Sequence, residues 1–199
     1  MTRDHLPHSG TLHRGRFSEP GTAYFITKCR WDVGAKHAAM KALERAGDGG
    51  DALSVEGSAG QGGPAHVCFT EPSAAEVIVS SIRWHQERRH AHLLGFVVMP
   101  DHVHWVFVLG EVRALDAVMR GFGSVTWQGF RRACGAGVGR VWEEDYHDHR
   151  LCSEERCWAT IEYVHRNPVR KGLCARAEDW PWSTAHPRFR GWVEDSYLR

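Results

Sequence analysis

The chain has no C-x-x-C pair. Its six cysteines stand irregularly at 29, 68, 134, 152, 157 and 174, which excludes a zinc ribbon and a secreted disulfide framework and makes reduced thiols the expected state. It has no apolar run near the roughly 20 residues that cross a bilayer, and its start, MTRDHLPHSGTLHRGRF, lacks an apolar targeting core. A soluble, cytoplasmic protein without a membrane partner is therefore expected. Nor is there an excess of one charge: 25 Lys and Arg against 24 Asp and Glu leave a formal net charge of +1, so bulk charge alone indicates no polyanionic partner. What remains is a chain of 199 residues, enough for one ordinary domain with room for an insertion.

Charge distribution says more than charge balance. From Tyr163 to Arg176 there are Arg166, Arg170, Lys171 and Arg176 and no acid, and Val112 to Arg140 carries five arginines against Asp116 alone. The second stretch also holds Phe122, Trp127 and Phe130. Cations mixed with flat rings suit single-stranded nucleic acid; a solvated helix face with its aromatics in the core has the same composition.

Along the chain, GTAYFITKCRW (21–31) reads as a first strand. GDGGDALSVEGSAGQGGPA (47–65) is Gly-rich and nearly free of large apolar residues, the composition of a flexible insertion. EPSAAEVIVSSIRWHQERRH predicts a helix with Pro72 in its first turn. HLLGFVVM and HVHWVFVL, separated by a turn-forming Pro-Asp, predict a hairpin. A helix follows over 115–134, weakened by glycines at 121, 123 and 129, and another over 153–167, capped by Ser153 and closed by Pro168. The expected fold is an α+β sandwich, an antiparallel sheet with helices on one face. Residues 1–20 form an N-terminal extension, 21–192 a single domain and 193–199 a tail.

Fourteen histidines give roughly one H-x-H by chance, and there are three. His90 with His92 and His147 with His149 stand in polar surroundings, where solvated surface is expected. His102 and His104 lie inside the strand run GFVVMPDHVHWVFVLG. Period two puts both imidazoles on one face and Val103, Trp105 and Phe107 on the other. Two nitrogen ligands side by side on a rigid element suit a divalent metal; a hydrogen-bonded pair is the other possibility. On the helix at 153–167, Cys157, Trp158, Ile161 and Val164 share the face expected to be buried. Tyr163 falls on the polar face with Arg156, Ala159 and Arg166, and Asn167 stands one turn above it. Tyr163 is thus either a surface tyrosine before an Asn-Pro helix stop or a side chain presented to something.

MPDHVHWVF, YVHRNPVRKGL and EDWPWSTAH, in that order, resemble the REP-associated tyrosine transposases, a branch of the single-tyrosine HUH transposases, from about Gly21 to Trp192. The resemblance implies a ferredoxin-like, RRM-like sandwich. It implies Tyr163 as nucleophile, His102 and His104 as ligands of a divalent metal (Mg2+ or Mn2+), and Asn167 as a third ligand. The implied reaction is cleavage and rejoining of single-stranded DNA at hairpin-forming, REP-like palindromes through a 5′-phosphotyrosine, by a protein that is nucleoid-associated when bound. Candidate DNA contacts are Trp127, Arg131, Arg132, Arg166, Arg170 and Lys171. Two other classes compete: a non-catalytic module that binds structured single strands, and a metal-dependent hydrolase in which EEDYHDH joins the H-x-H pair and water attacks.

Overall fold

The computed structural model describes residues 18–31 and 67–198; the 47–65 insertion and residues 1–17 of the N-terminal extension lie outside these. Four strands, β1 (Ala23–Cys29), β2 (Ala91–Val98), β3 (His102–Leu109) and β4 (His147–Leu151), alternate with three helices, α1 (Pro72–Glu87), α2 (Leu115–Cys134) and α3 (Glu154–Arg170), in the succession β1-α1-β2-β3-α2-β4-α3. The strands form one antiparallel sheet in the order β2-β3-β1-β4, so the α+β class expected from the sequence holds. No helix among the described residues is long and apolar enough to cross a membrane.

The helices do not share one face. Tyr24, Ile26, Trp105 and Phe107 point into the larger core with α1 and α2, whereas Phe25, Val97, Val106 and Val108 pack with Cys157, Ile161 and Val164 of α3 on the other side. The reason lies in the strands: β1 to β3 are apolar at both parities, so both faces must be covered. The far side of α1 and α2 is held at close range. A Cβ added at Gly129 would lie 2.5 Å from Val77 Cγ1, so the glycine that weakens α2 lets α1 approach it. Gly129→Ala is expected to lower stability in urea unfolding, because overpacking costs about 1–3 kcal/mol and outweighs up to about 1 kcal/mol of gained helix propensity.

Three local expectations change. β4, HDHRL, carries no apolar alternation, yet pairs with β1 from Thr27↔His147 to Ala23↔Leu151; it is an edge strand held by backbone bonds, which leave no hydrophobic signature. Helix α3 does not stop before Pro168 but continues to Arg170, with Lys171 N–H donating to the Asn167 carbonyl and Gly172 N–H to that of Val169. Pro168 forfeits one helical bond, but it and Asn167 are buried, and tertiary packing outweighs the local penalty. Trp158, expected in the core, is 48% exposed, its Nε1 donating to Glu154.

The EDWPWSTAH segment covers the β2 edge. Val98 N–H donates to the Trp182 carbonyl at 2.8 Å and Thr184 N–H to that of Phe96 at 3.0 Å; Trp182 is buried in the larger core and Trp180 Nε1 donates to the Val98 carbonyl. An otherwise open sheet edge is thereby paired.

His90, expected on a solvated surface, is instead buried with His85, Nδ1 to Nδ1 3.2 Å. Burial, then the neighbouring His90, Arg113 and Arg88, pushes the His85 imidazole down to about 4. A histidine with a depressed folded pKa binds its proton preferentially in the unfolded chain, so stability falls as pH drops below the unfolded value near 6.5. The His85 contribution to stability is expected to be about 2 kcal/mol smaller at pH 5 than at pH 7, and urea titrations of wild type and His85→Gln should differ by that amount between the two pH values.

Candidate active site

The hairpin places the histidine pair. In β3, His104 faces Thr27 of β1 and His102 faces Cys29, and residues directly opposite in antiparallel strands share a face. Both imidazoles therefore project toward the α3 side, as period two predicts, while Val103 and Trp105 enter the larger core. Their Nε2 atoms converge to 3.2 Å. Each ring is oriented through its other nitrogen: His102 Nδ1 donates to Asp101 Oδ1 at 2.7 Å, and His104 Nδ1 lies 2.9 Å from Thr27 Oγ1.

The Asp101 carboxyl is held below its usual range, first by the His102 hydrogen bond, so it is ionised and can only accept. Asp101 therefore holds a proton on His102 Nδ1, and the opposite nitrogen, Nε2, is the one turned toward His104. His104 is buried, and burial, then the adjacent His102, pushes its pKa well below the usual value, so it is neutral; with its proton on Nδ1 toward Thr27, its Nε2 would turn a lone pair into the cleft. Two nitrogens bound at about 2.1 Å to one ion, at angles between a right angle and the tetrahedral value, are roughly 3.0–3.4 Å apart. The observed spacing, with a carboxylate and a hydroxyl orienting the rings from behind, fits a divalent cation.

Helix α3 crosses the same face. Its start is fixed by the Ser153 side chain, which accepts from Arg156 N–H, and by Glu154 and Glu155 in the first turn. Tyr163 is half-buried, not turned away with Arg166: its ring meets Phe25 edge-on with centroids 6.2 Å apart, and lies 5.8 Å from the His104 ring. The Arg170 guanidinium sits 5.2 Å from the tyrosine ring centre. Asn167 is buried and follows Tyr163 by one turn inside the helix, so it is not the helix stop that the Asn-Pro pair suggested. Tyr163, Asn167, His102, His104 and Lys171 line one cleft of about 680 Å³.

The remaining candidates separate. Arg166 is exposed and pairs with Glu162 within its own helix. Trp127, Arg131 and Arg132 belong to α2, on the opposite side of the sheet from the cleft. His147 and His149 share the sheet face of His104, His147 opposite Thr27 and His149 stacked on Phe25, but among the described residues no three His, Cys, Asp or Glu side chains are grouped to hold a metal. Sequence reasoning missed Asp101, Thr27 and Arg30 in the cleft. Asp101 carried a signal, since it directly precedes His102; Thr27 is found only through strand register. All six cysteines are free thiols.

A curated relative, the REP-associated tyrosine transposase of Escherichia coli (strain K12), is 29% identical over 92 residues, 46% of this chain and 53% of the relative; the chain spans about half the length of the curated relative it matches. A solved structure of a REP-associated tyrosine transposase bound to a REP hairpin superposes with a TM-score of 0.57 at 18% identity, covering 92% of this chain and 89% of the other. No protein-family model matches the chain. The chain is thus similar to REP-associated tyrosine transposases in fold over nearly its whole length and in sequence over about half.

Proposed function

We propose that the protein is a transposase-like, metal-dependent endonuclease and strand transferase for single-stranded DNA, acting beside hairpins of REP-like palindromes with Tyr163 as nucleophile. The observation that carries this reading is the joint cleft: two imidazole Nε2 atoms 3.2 Å apart, a tyrosine ring against one of them, and an amide one helical turn on. The strand order, taken from the other edge as β4-β1-β3-β2, supports reading residues 21–192 as one ferredoxin-like domain with α3 added to the second face.

His102, His104 and Asn167 would hold the cation. A divalent cation held there, Mg2+ or Mn2+, would supply positive charge that offsets the charge developing on the reacting phosphate and its leaving oxygen. Tyr163 brings the phenol oxygen to phosphorus. Its proton passes to water, the P–O3′ bond breaks, and the 3′ oxygen takes up a proton. The product is a 5′-phosphotyrosine and a free 3′-OH, and attack by another 3′-OH reverses the step and joins strands with no outside energy source. Lys171, which lines the cleft, and Arg170, which lies over the Tyr163 ring, would hold the strand backbone.

The test is covalent capture. Hairpin DNA labelled at either end, incubated with protein and divalent metal and then denatured, should leave the 3′-side fragment on the protein through its 5′ end. Binding without cleavage would point to a non-catalytic module, and cleavage without an adduct to a hydrolase.

A further inference from the structure

On the opposite side of the sheet from the cleft, an open groove of about 650 Å³ runs between α2 and the 139–146 segment, lined among others by Lys28, Arg120, Trp127 and Arg140 and by the carboxylates Glu143 and Glu144, the latter paired with Arg140. Two indole–guanidinium stacks stand at this end of the molecule. The Arg131 guanidinium lies 5.0 Å from the centre of the Trp127 ring and the Arg140 guanidinium 3.8 Å from that of Trp31. Both indoles are partly exposed, Trp127 at 36% and Trp31 at 48%, although the other rings of α2, Phe122 and Phe130, are in the core. Trp127 is fixed in place, its Nε1 donating to the Gly139 carbonyl at 3.0 Å. Arg131 has no acidic partner among the described residues.

The groove wall is rigid. Lys28 is buried, and its Nζ donates to the Glu143 and Asp145 carbonyls at 2.7 and 3.0 Å, which ties the 143–145 backbone to β1. A single strand joins groove to cleft: Thr27 and Cys29 line the cleft, and Lys28 between them lines the groove, because successive residues of a strand face opposite sides. The two openings are therefore back to back at one end of the sheet.

Resting on the function proposed above, we infer that this groove is a second DNA subsite, which takes unpaired bases of the strand flanking the cut. A fixed, half-exposed indole offers a stacking platform that tolerates any base, and the guanidinium beside it offers charge for the backbone. An A-form or B-form duplex hides its base faces, so the platform serves unpaired nucleotides only. A strand held there and led around the sheet end enters the cleft at Arg30, which lines it.

The experiment compares hairpin oligonucleotides with and without an unpaired flank, each carrying 5-iodouracil in the flank or in the loop. Wild type should bind the flanked hairpin about 10-fold or more tightly than the bare one, since each stacked base is worth about 1–3 kcal/mol. Trp127→Ala should lose most of that gain while binding the bare hairpin unchanged, and Arg131→Ala should lose part of it. Trp127→Phe keeps a stacking ring and should retain most of it, which separates stacking from a folding defect. Irradiation should label the tryptic peptide 121–131, whose accessible ring is Trp127. An equal flank gain in wild type and Trp127→Ala, or flank label in other peptides only, would overturn the subsite. If the wild type bound no hairpin at all, the functional reading would fail, and cross-linking to an unpaired iodouracil oligonucleotide would still decide the groove by the same peptide.

Discussion

A Tyr163→Phe variant is expected to bind hairpin DNA like the wild type and to form no covalent adduct, with cleavage reduced on the order of 10³-fold or more. The substitution deletes one oxygen. The ring that packs edge-on against Phe25 and under Arg170 is kept, so α3 stays seated and the histidine pair undisturbed. Denaturing gels of labelled hairpin should show the shifted band in wild type only. Substitution by another tyrosine is not available nearby: Tyr24 is 1% exposed within the larger core, and Tyr146 is buried on the groove side of the sheet. An adduct that persists in the Phe variant would therefore remove Tyr163 from the mechanism.

How far the sequence led depends on where each signal resides. The hairpin and the first strand are apolar runs with turn residues between them, and the structure places them within two residues of the expected bounds. Their period of two also placed His102 and His104 on one face without any tertiary knowledge. β4 was invisible because an edge strand takes its stability from backbone pairing and can be polar on both sides. The position of α3 on its own side of the sheet was equally hidden: it follows from both parities of β1 to β3 being apolar, a property of three strands together. Helical phase alone turned Tyr163 to solvent, since an axial projection ignores the width of the sheet; the ring reaches Phe25 from the margin of the buried arc. Arg131 and Trp127 were grouped with Arg170 and Lys171 by composition, which carries no information about sides. The Thr27 contact to His104 joins residues 77 apart in sequence, and only register finds it.

The histidines allow a test that does not depend on catalysis. Each ring is oriented through its opposite nitrogen, by Asp101 for His102 and by Thr27 for His104, and the two Nε2 atoms meet at 3.2 Å, so removal of either ring leaves a single imidazole facing the cleft. His102→Ala or His104→Ala should lower Mn2+ affinity, measured by calorimetry on the protein alone, by about 10- to 100-fold or more; changes in the orienting groups behind ligands already cost that much. Cleavage under Mg2+ or Mn2+ should disappear in parallel, while hairpin binding in the absence of metal stays near the wild-type value, because backbone and base contacts supply most of that affinity. His147→Ala is the informative control. Its side chain shares the sheet face but is exposed and lies across Thr27 from His104, so neither Mn2+ affinity nor adduct yield should change by more than about 2-fold, in line with solvent-exposed substitutions. Equal losses at His147 and His102 would shift the metal centre toward the 143–149 segment. Attack would then belong to water, and Tyr163 would be left as a packing residue on α3.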